Sequence, residues 1–157
     1  FKCDWSSDVC SSDLNVLMQM EAKAAGFDNG IFIDEFGFVG ESSNMNVAFV
    51  TADGVLRHPK FERVLPGCTV LRVLQLARSL VGTGLLAGVE VCDIPVADAR
   101  AAREMLLVGS SVKVAPIVEW DRTPIGDGKP GPACAALRAL LEEDMRSGDR
   151  LIDVPYA

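Results

Sequence analysis

Between Ile31 and Leu56 no apolar run lasts long enough to build a helix of ordinary length. Ile31-Phe32-Ile33 is cut by Asp34 to Gly37, Phe38-Val39 by Gly40, Val47 to Val50 by Ala52-Asp53-Gly54, and Val55-Leu56 follows at once. Short apolar runs closed by Gly, Asp and Asn are strands joined by tight turns, so this segment of the chain is bound to a sheet. The first two runs form a hairpin that carries one carboxylate, Glu41, to its end. A polar loop, Ser42-Ser43-Asn44, leads to Asn46 and the next strand, Val47 to Val50, which turns back over Ala52-Asp53-Gly54.

The flanking segments change period. Leu14, Leu17, Met18, Glu21, Ala22 and Ala25 recur at helical spacing, with Gly26 as terminator. Leu65-Pro66-Gly67-Cys68-Thr69 is a turn that feeds a second helix, whose apolar face is Val70, Leu71, Val73, Leu74, Ala77 and Leu80. Val89 to Val91 reads as a strand, Ala97 to Arg103 as an Ala-rich helix, and Met105 to Val108 as a buried strand ending at Gly109-Ser110-Ser111. Val112 to Trp120 alternates as a strand. Pro132 opens a last helix through Leu137, Leu140, Leu141 and Met145 that Gly148 closes. Strands and helices thus mix along one chain, predicting an α+β fold with a sheet packed by helices.

At 157 residues the chain can bury one sizeable core. A net charge of -7 leaves no basic stripe for nucleic acid or an anionic membrane. The most apolar stretch, Leu80 to Val91, is interrupted by Gly82, Gly84 and Gly88 and is too short to span a bilayer. Five scattered cysteines form neither a zinc pattern nor a disulfide framework, which fits a reducing cytoplasm and predicts no metal site.

Three residues invite misreading. His58 is the only histidine, and its place before Pro59 predicts a surface loop position. Lys113 has opposite parity to Val112 and Val114, so it is expected to face solvent. Gly126 to Lys129 looks like the end of a phosphate-binding loop, but Thr123 stands where the first Gly belongs and Pro130 removes an amide after the Lys.

The turn at Gly67 is a better anion site. The first amides of a helix have no acceptor within it, and its dipole favours negative charge. Gly67 keeps the approach open and the Thr69 hydroxyl is at hand, either for a phosphate or as a cap on its own helix.

Glu41, four residues, then Asn46, together with Leu65 to Thr69, Val108 to Ser111, Ala115-Pro116-Ile117 and Ile125 to Pro132, resemble the fold-type IV pyridoxal-phosphate enzymes, the class IV aminotransferases. The likeness is strongest to the D-amino-acid aminotransferase and aminodeoxychorismate lyase-like branch and covers nearly everything from Asn15 onward. It implies the C-terminal large domain of that fold, with pyridoxal 5′-phosphate as cofactor. Glu41 then pairs with the pyridine nitrogen, the Cys68 amide, Thr69 and Ser110 hold the phosphate, and Asn44 and Asn46 shape the loop beside the ring. The resemblance also implies amino-acid and 2-oxo-acid substrates, D-amino or branched-chain, and a homodimer in the full-length protein. The lyase that releases pyruvate from 4-amino-4-deoxychorismate is the alternative within the family. A noncatalytic fragment is the alternative outside it.

The family's Schiff-base lysine is expected about seven positions before Asn15, where this chain has Asp8, and Lys2, Lys23, Lys60, Lys113 and Lys129 match no family motif. No catalytic lysine is therefore assigned. Asp4 to Leu14, DWSSDVCSSDL, lacks periodicity and resembles a translated sequencing-adapter remnant, so residues 1–14 are expected to be a non-native or disordered leader, and 15–157 a cofactor-binding domain whose N-terminal partner domain is missing.

Overall fold

The computed structural model describes residues 8–149, 151 and 152, and of 8–12 only the backbone. The chain begins with helix α1 (Asp8–Ala24) and the hairpin strands β1 (Ile31–Ile33) and β2 (Val39–Ser42). Next come β3 (Asn46–Val50), β4 (Val55–Pro59), α2 (Cys68–Ala77), a single 3-10 turn at Arg78–Leu80, β5 (Gly88–Cys92) and the short α3 (Val96–Arg100). The remainder is β6 (Glu104–Gly109), β7 (Lys113–Ile117), the small ribbon β8 (Glu119–Trp120) and β9 (Thr123–Pro124), and α4 (Pro132–Ser147). The mixed α+β class expected from the alternation of periods is the one observed.

The principal sheet has five strands in the order β5-β4-β3-β6-β7. All pairings are antiparallel except β4 with β5, whose connection runs through α2. Central β3 is buried at every residue, and its side chains divide by parity between two cores. Ala48 and Val50, with Leu106 and Val108 of β6, pack under α2 (Val70, Val73) and α4 (Leu137, Leu141). Val47 and Phe49, with Met105 and Leu107, pack on the opposite face against Val39, Ile94, Ala99 and Trp120. The sheet is thus the middle of three layers, and a one-residue slip of β3 would exchange the contents of both cores.

Polar contacts fix the helices. Buried Glu104, at the start of β6, accepts hydrogen bonds from the Ala133 amide (3.1 Å) and the Cys134 amide (2.9 Å), capping α4 with a negative charge. A Cβ at Gly131 would collide with that carboxylate, which explains the glycine. Arg72 of α2 reaches Asp144 of α4 (Nε to Oδ2, 2.8 Å) and Asp149 beyond it (2.9 Å). On the other face Asp93 accepts from Lys60 (2.6 Å) and Arg63 (2.7 Å), which hold its carboxyl below the usual range. Arg63 also pairs with Asp34 of the hairpin turn.

Several expectations need correction. His58 is not in a surface loop: it lies in β4 at 0 % exposure, because the strand continues past Leu56 to Pro59 in the pairing with β5. Lys113 does not stand free in solvent. It begins β7 at φ +60, where parity no longer predicts direction, and pairs with Glu142 at 3.2 Å. Glu41 lies within β2 rather than after it, and the expected strand from Val112 to Trp120 breaks into β7 and β8. Helix α3 ends at Arg100. Helix α1 begins at Asp8 instead of Leu14.

Candidate functional site

The site is assembled where the short turn between β2, which pairs with β1, and β3, in the principal sheet, meets the turn before α2. That turn, closed by the Ser42 amide on the Met45 carbonyl (2.9 Å), brings Glu41 near Asn46, the first residue of β3: the Asn46 amide nitrogen donates to Glu41 Oε2 at 3.2 Å and to the Leu65 carbonyl at 2.9 Å. The Leu65 amide in turn donates to the same Glu41 oxygen at 3.2 Å. Both bonds fall on Oε2, so among the described residues nothing engages Oε1. Burial raises the Glu41 pKa, and the Leu65 amide opposes that rise. A carboxylate held on one oxygen and poised on the other is a receptor for a cationic N–H.

The second half of the site is the start of α2. Gly67 is its N-cap, at φ -60 and ψ 132, and no side chain caps the helix. The sequence left open whether Thr69 caps its own helix; it does not. Its hydroxyl lies instead 3.3 Å from that of Ser110, in the β6–β7 turn. The Cys68 thiol is exposed and 4.0 Å from Thr69 Oγ1. Two hydroxyls and the uncapped first-turn amides at a helix N-terminus form a donor set suited to a phosphate.

Gly67 joins the halves. A Cβ there would collide with Asn46 Oδ1, so the carboxamide that holds Glu41 lies directly against the anion turn. Four of the five predicted cofactor residues fall into these two groups: Glu41 in the first, and Cys68, Thr69 and Ser110 in the second. Asn44 does not join them; it is exposed in the β2–β3 turn and, among the described residues, makes no hydrogen bond. Leu65 contributes through its backbone alone, which no side-chain pattern could have announced.

The described lysines stand elsewhere. Lys23 pairs with Asp28, Lys60 with Asp93 and Lys113 with Glu142, and Lys129 is exposed on its loop. Lys2 and the side chain of Asp8 lie outside the described residues. Among the described residues, no group of His, Cys, Asp and Glu could hold a metal ion, and no helix is long and apolar enough to cross a membrane. A cleft of about 680 Å³ opens elsewhere, between α1 and the ends of β6 and β7, lined by Met18, Glu21, Phe27, Ile31, Leu107 and Trp120. It contains none of the site residues, and its walls offer no comparable donor set.

Residues 9–120 match the family model of amino-transferase class IV. The chain belongs to this family. It is 49% identical over 145 residues to the chloroplastic D-amino-acid transaminase of Arabidopsis thaliana, a match covering 90% of this chain and 39% of that protein. Among solved structures it resembles the T.th. branched-chain amino acid aminotransferase complexed with N-(5′-phosphopyridoxyl)-L-glutamate. There the TM-score is 0.79 and the identity 32%, over 88% of this chain and 45% of that one. The holo-form branched-chain aminotransferase of Thermobaculum terrenum, in its PLP form, gives a TM-score of 0.79 at 29% identity, over 88% and 44% of the two chains. The class IV chain described here therefore spans less than half the length of these relatives.

Proposed function

We propose that this chain is the cofactor-binding part of a pyridoxal-phosphate aminotransferase that moves an amino group between a D-amino or branched-chain amino acid and a 2-oxo acid. The observation that carries the reading is the junction just described, a half-buried carboxylate and a phosphate-type donor set linked through Asn46 and Gly67. When bound, the cofactor supplies a pyridine ring that withdraws electrons from the substrate carbon as its proton leaves. Glu41 keeps a proton on the ring nitrogen. Thr69, Ser110 and the α2 amides anchor the phosphate, so ring and carboxylate stay in register.

In this reading the full-length protein is a homodimer in a reducing compartment such as the cytoplasm; the free thiols of Cys68, Cys92 and Cys134 agree with such a compartment. Taken alone, the chain is noncatalytic. This is supported by the three ion-paired lysines and by Asp8 at the position where the family lysine is expected. Residues 1–14 remain, in this proposal, a leader foreign to the domain.

Titrating the chain with pyridoxamine 5′-phosphate while following backbone amide resonances tests the assignment. Shifts should concentrate at Glu41, Leu65, Cys68, Thr69 and Ser110; shifts confined to the cleft beside α1 would overturn it. Incubation with the aldehyde form followed by borohydride reduction and mass measurement should give no single-site adduct. A stoichiometric adduct on one lysine would refute the noncatalytic reading.

A further inference from the structure

We infer that Asn46 is a positioning residue that orients Glu41 toward the cofactor ring. The inference rests on the cofactor reading of Glu41 and goes beyond it by assigning the orienting task to a specific carboxamide. Asn46 is 6 % exposed, and its Nδ2 donates both to Glu41 Oε2 and to the Leu65 carbonyl. A single amide therefore spans β2 and the loop before α2, two segments also joined by the Leu65 amide's bond to the same oxygen.

The far side of the carboxamide is equally constrained. Oδ1 occupies the space that any Cβ at Gly67 would need, although the backbone of Gly67 is one that other residues adopt readily. Gly67 is thus required by its neighbour rather than by its own dihedrals. Rotation of the Asn46 amide would strip Oε2 of one donor and push Oδ1 and Nδ2 into exchanged surroundings. The carboxylate would then be free to turn its second oxygen away from the ring nitrogen.

Asn46→Asp keeps the shape, removes both N–H donors and sets a second carboxylate beside Glu41; Asn46→Ala removes the group. Each is titrated calorimetrically with pyridoxamine 5′-phosphate and with phenyl phosphate, which has the ester but no ring nitrogen. Asn46→Ala should weaken pyridoxamine 5′-phosphate about tenfold or more while changing phenyl phosphate less than about twofold. Asn46→Asp, whose added charge lies beside the anion turn, should weaken both ligands, and pyridoxamine 5′-phosphate the more. In a Glu41→Gln background, Asn46→Ala should add nothing. Equal losses for the two ligands, or no loss for either, would overturn the inference, since a residue that merely shapes the turn affects both. Should Glu41→Gln itself leave the ratio of the two affinities unchanged, the cofactor reading of Glu41 fails and the role of Asn46 fails with it. A losing Glu41→Gln beside a silent Asn46→Ala rejects Asn46 alone. Where a variant does not fold, the side-chain NH₂ resonances of Asn46 in the unaltered chain decide: pyridoxamine 5′-phosphate should shift them, phenyl phosphate should not, and identical responses reject the inference.

Discussion

His58 sits in β4 at 0 % exposure with neither ring nitrogen in a hydrogen bond, stacked at a tilt on Phe61 with centroids 4.8 Å apart. Burial pushes its pKa down to about 4, with only a weak backbone approach at Pro59 opposing. The sign of the pH effect follows. The unfolded chain takes up the proton near the ordinary value of about 6.5 while the folded chain refuses it, so the stability is full above that pH. It is lost as pH falls toward the folded value, by about 3 kcal/mol in all for this group. His58→Leu should therefore flatten the acid limb of a stability-versus-pH curve measured by urea unfolding. It should also add about 1 kcal/mol at neutral pH, because a packed methyl group replaces two unpaired nitrogens. A steeper acid limb in the variant would contradict the account. The same residue shows where sequence reading stops. A lone His before Pro looks superficial, and only the parallel partner β5, recruited from Gly88–Cys92, seals it from water.

At the scale of elements, α4 is held at both ends by charged side chains from distant segments, Glu104 at its start and Arg72 of α2 near its end. Glu104 caps α4 from the sheet face on which that helix packs, and Arg72 bridges α2 to Asp144 of α4 and to Asp149 just beyond it. Glu104→Gln retains the size but replaces a charged acceptor with an amide whose NH₂ faces two N–H donors. It should cost about 2 kcal/mol, read as a lower urea midpoint at unchanged slope. Little or no loss would mean that α4 does not depend on this cap. The elements themselves were legible: β1, β3, α2 and α4 follow from apolar period and from Gly and Pro punctuation, and Pro132 and Gly148 bound α4 as read. Glu41, Thr69 and Ser110 could be picked out by their place at strand ends and a helix start, together with the family likeness. The caps could not, since Glu104 and its amide partners lie far apart in sequence and carboxylates at strand starts are ordinarily solvated. The break after Ile117 was also hidden, because it depends on the left-handed backbone at Asp121 and Arg122 closing the β8–β9 ribbon.

Over the whole molecule, apolar surface is distributed unevenly. Leu14, Leu17 and Met20 are 52%, 54% and 62% exposed, and their spacing of three along α1 gathers them on one side of the helix. Beside them opens the 680 Å³ cleft, whose walls include Ile31 together with the carboxylates Glu21, Asp28, Glu119 and Asp121, so the apolar face to be covered is that of α1 itself. The net charge of -7 resists association at long range, but within about 10 Å at ordinary salt that repulsion is screened and apolar contact dominates. The chain should therefore associate as its concentration rises. Warming from the cold should strengthen the association, as apolar burial does, and salt should not dissolve it. Leu17→Lys with Met20→Lys removes two large exposed apolar groups without touching either core, and should weaken self-association at least about tenfold in sedimentation velocity. The pyridoxamine 5′-phosphate titration should be unaffected, because neither residue belongs to the Glu41 and Thr69 groups. If the double variant associates as strongly as the parent, the contact lies elsewhere, with the exposed Val81 and Val91 around the β5 edge the next surface to charge.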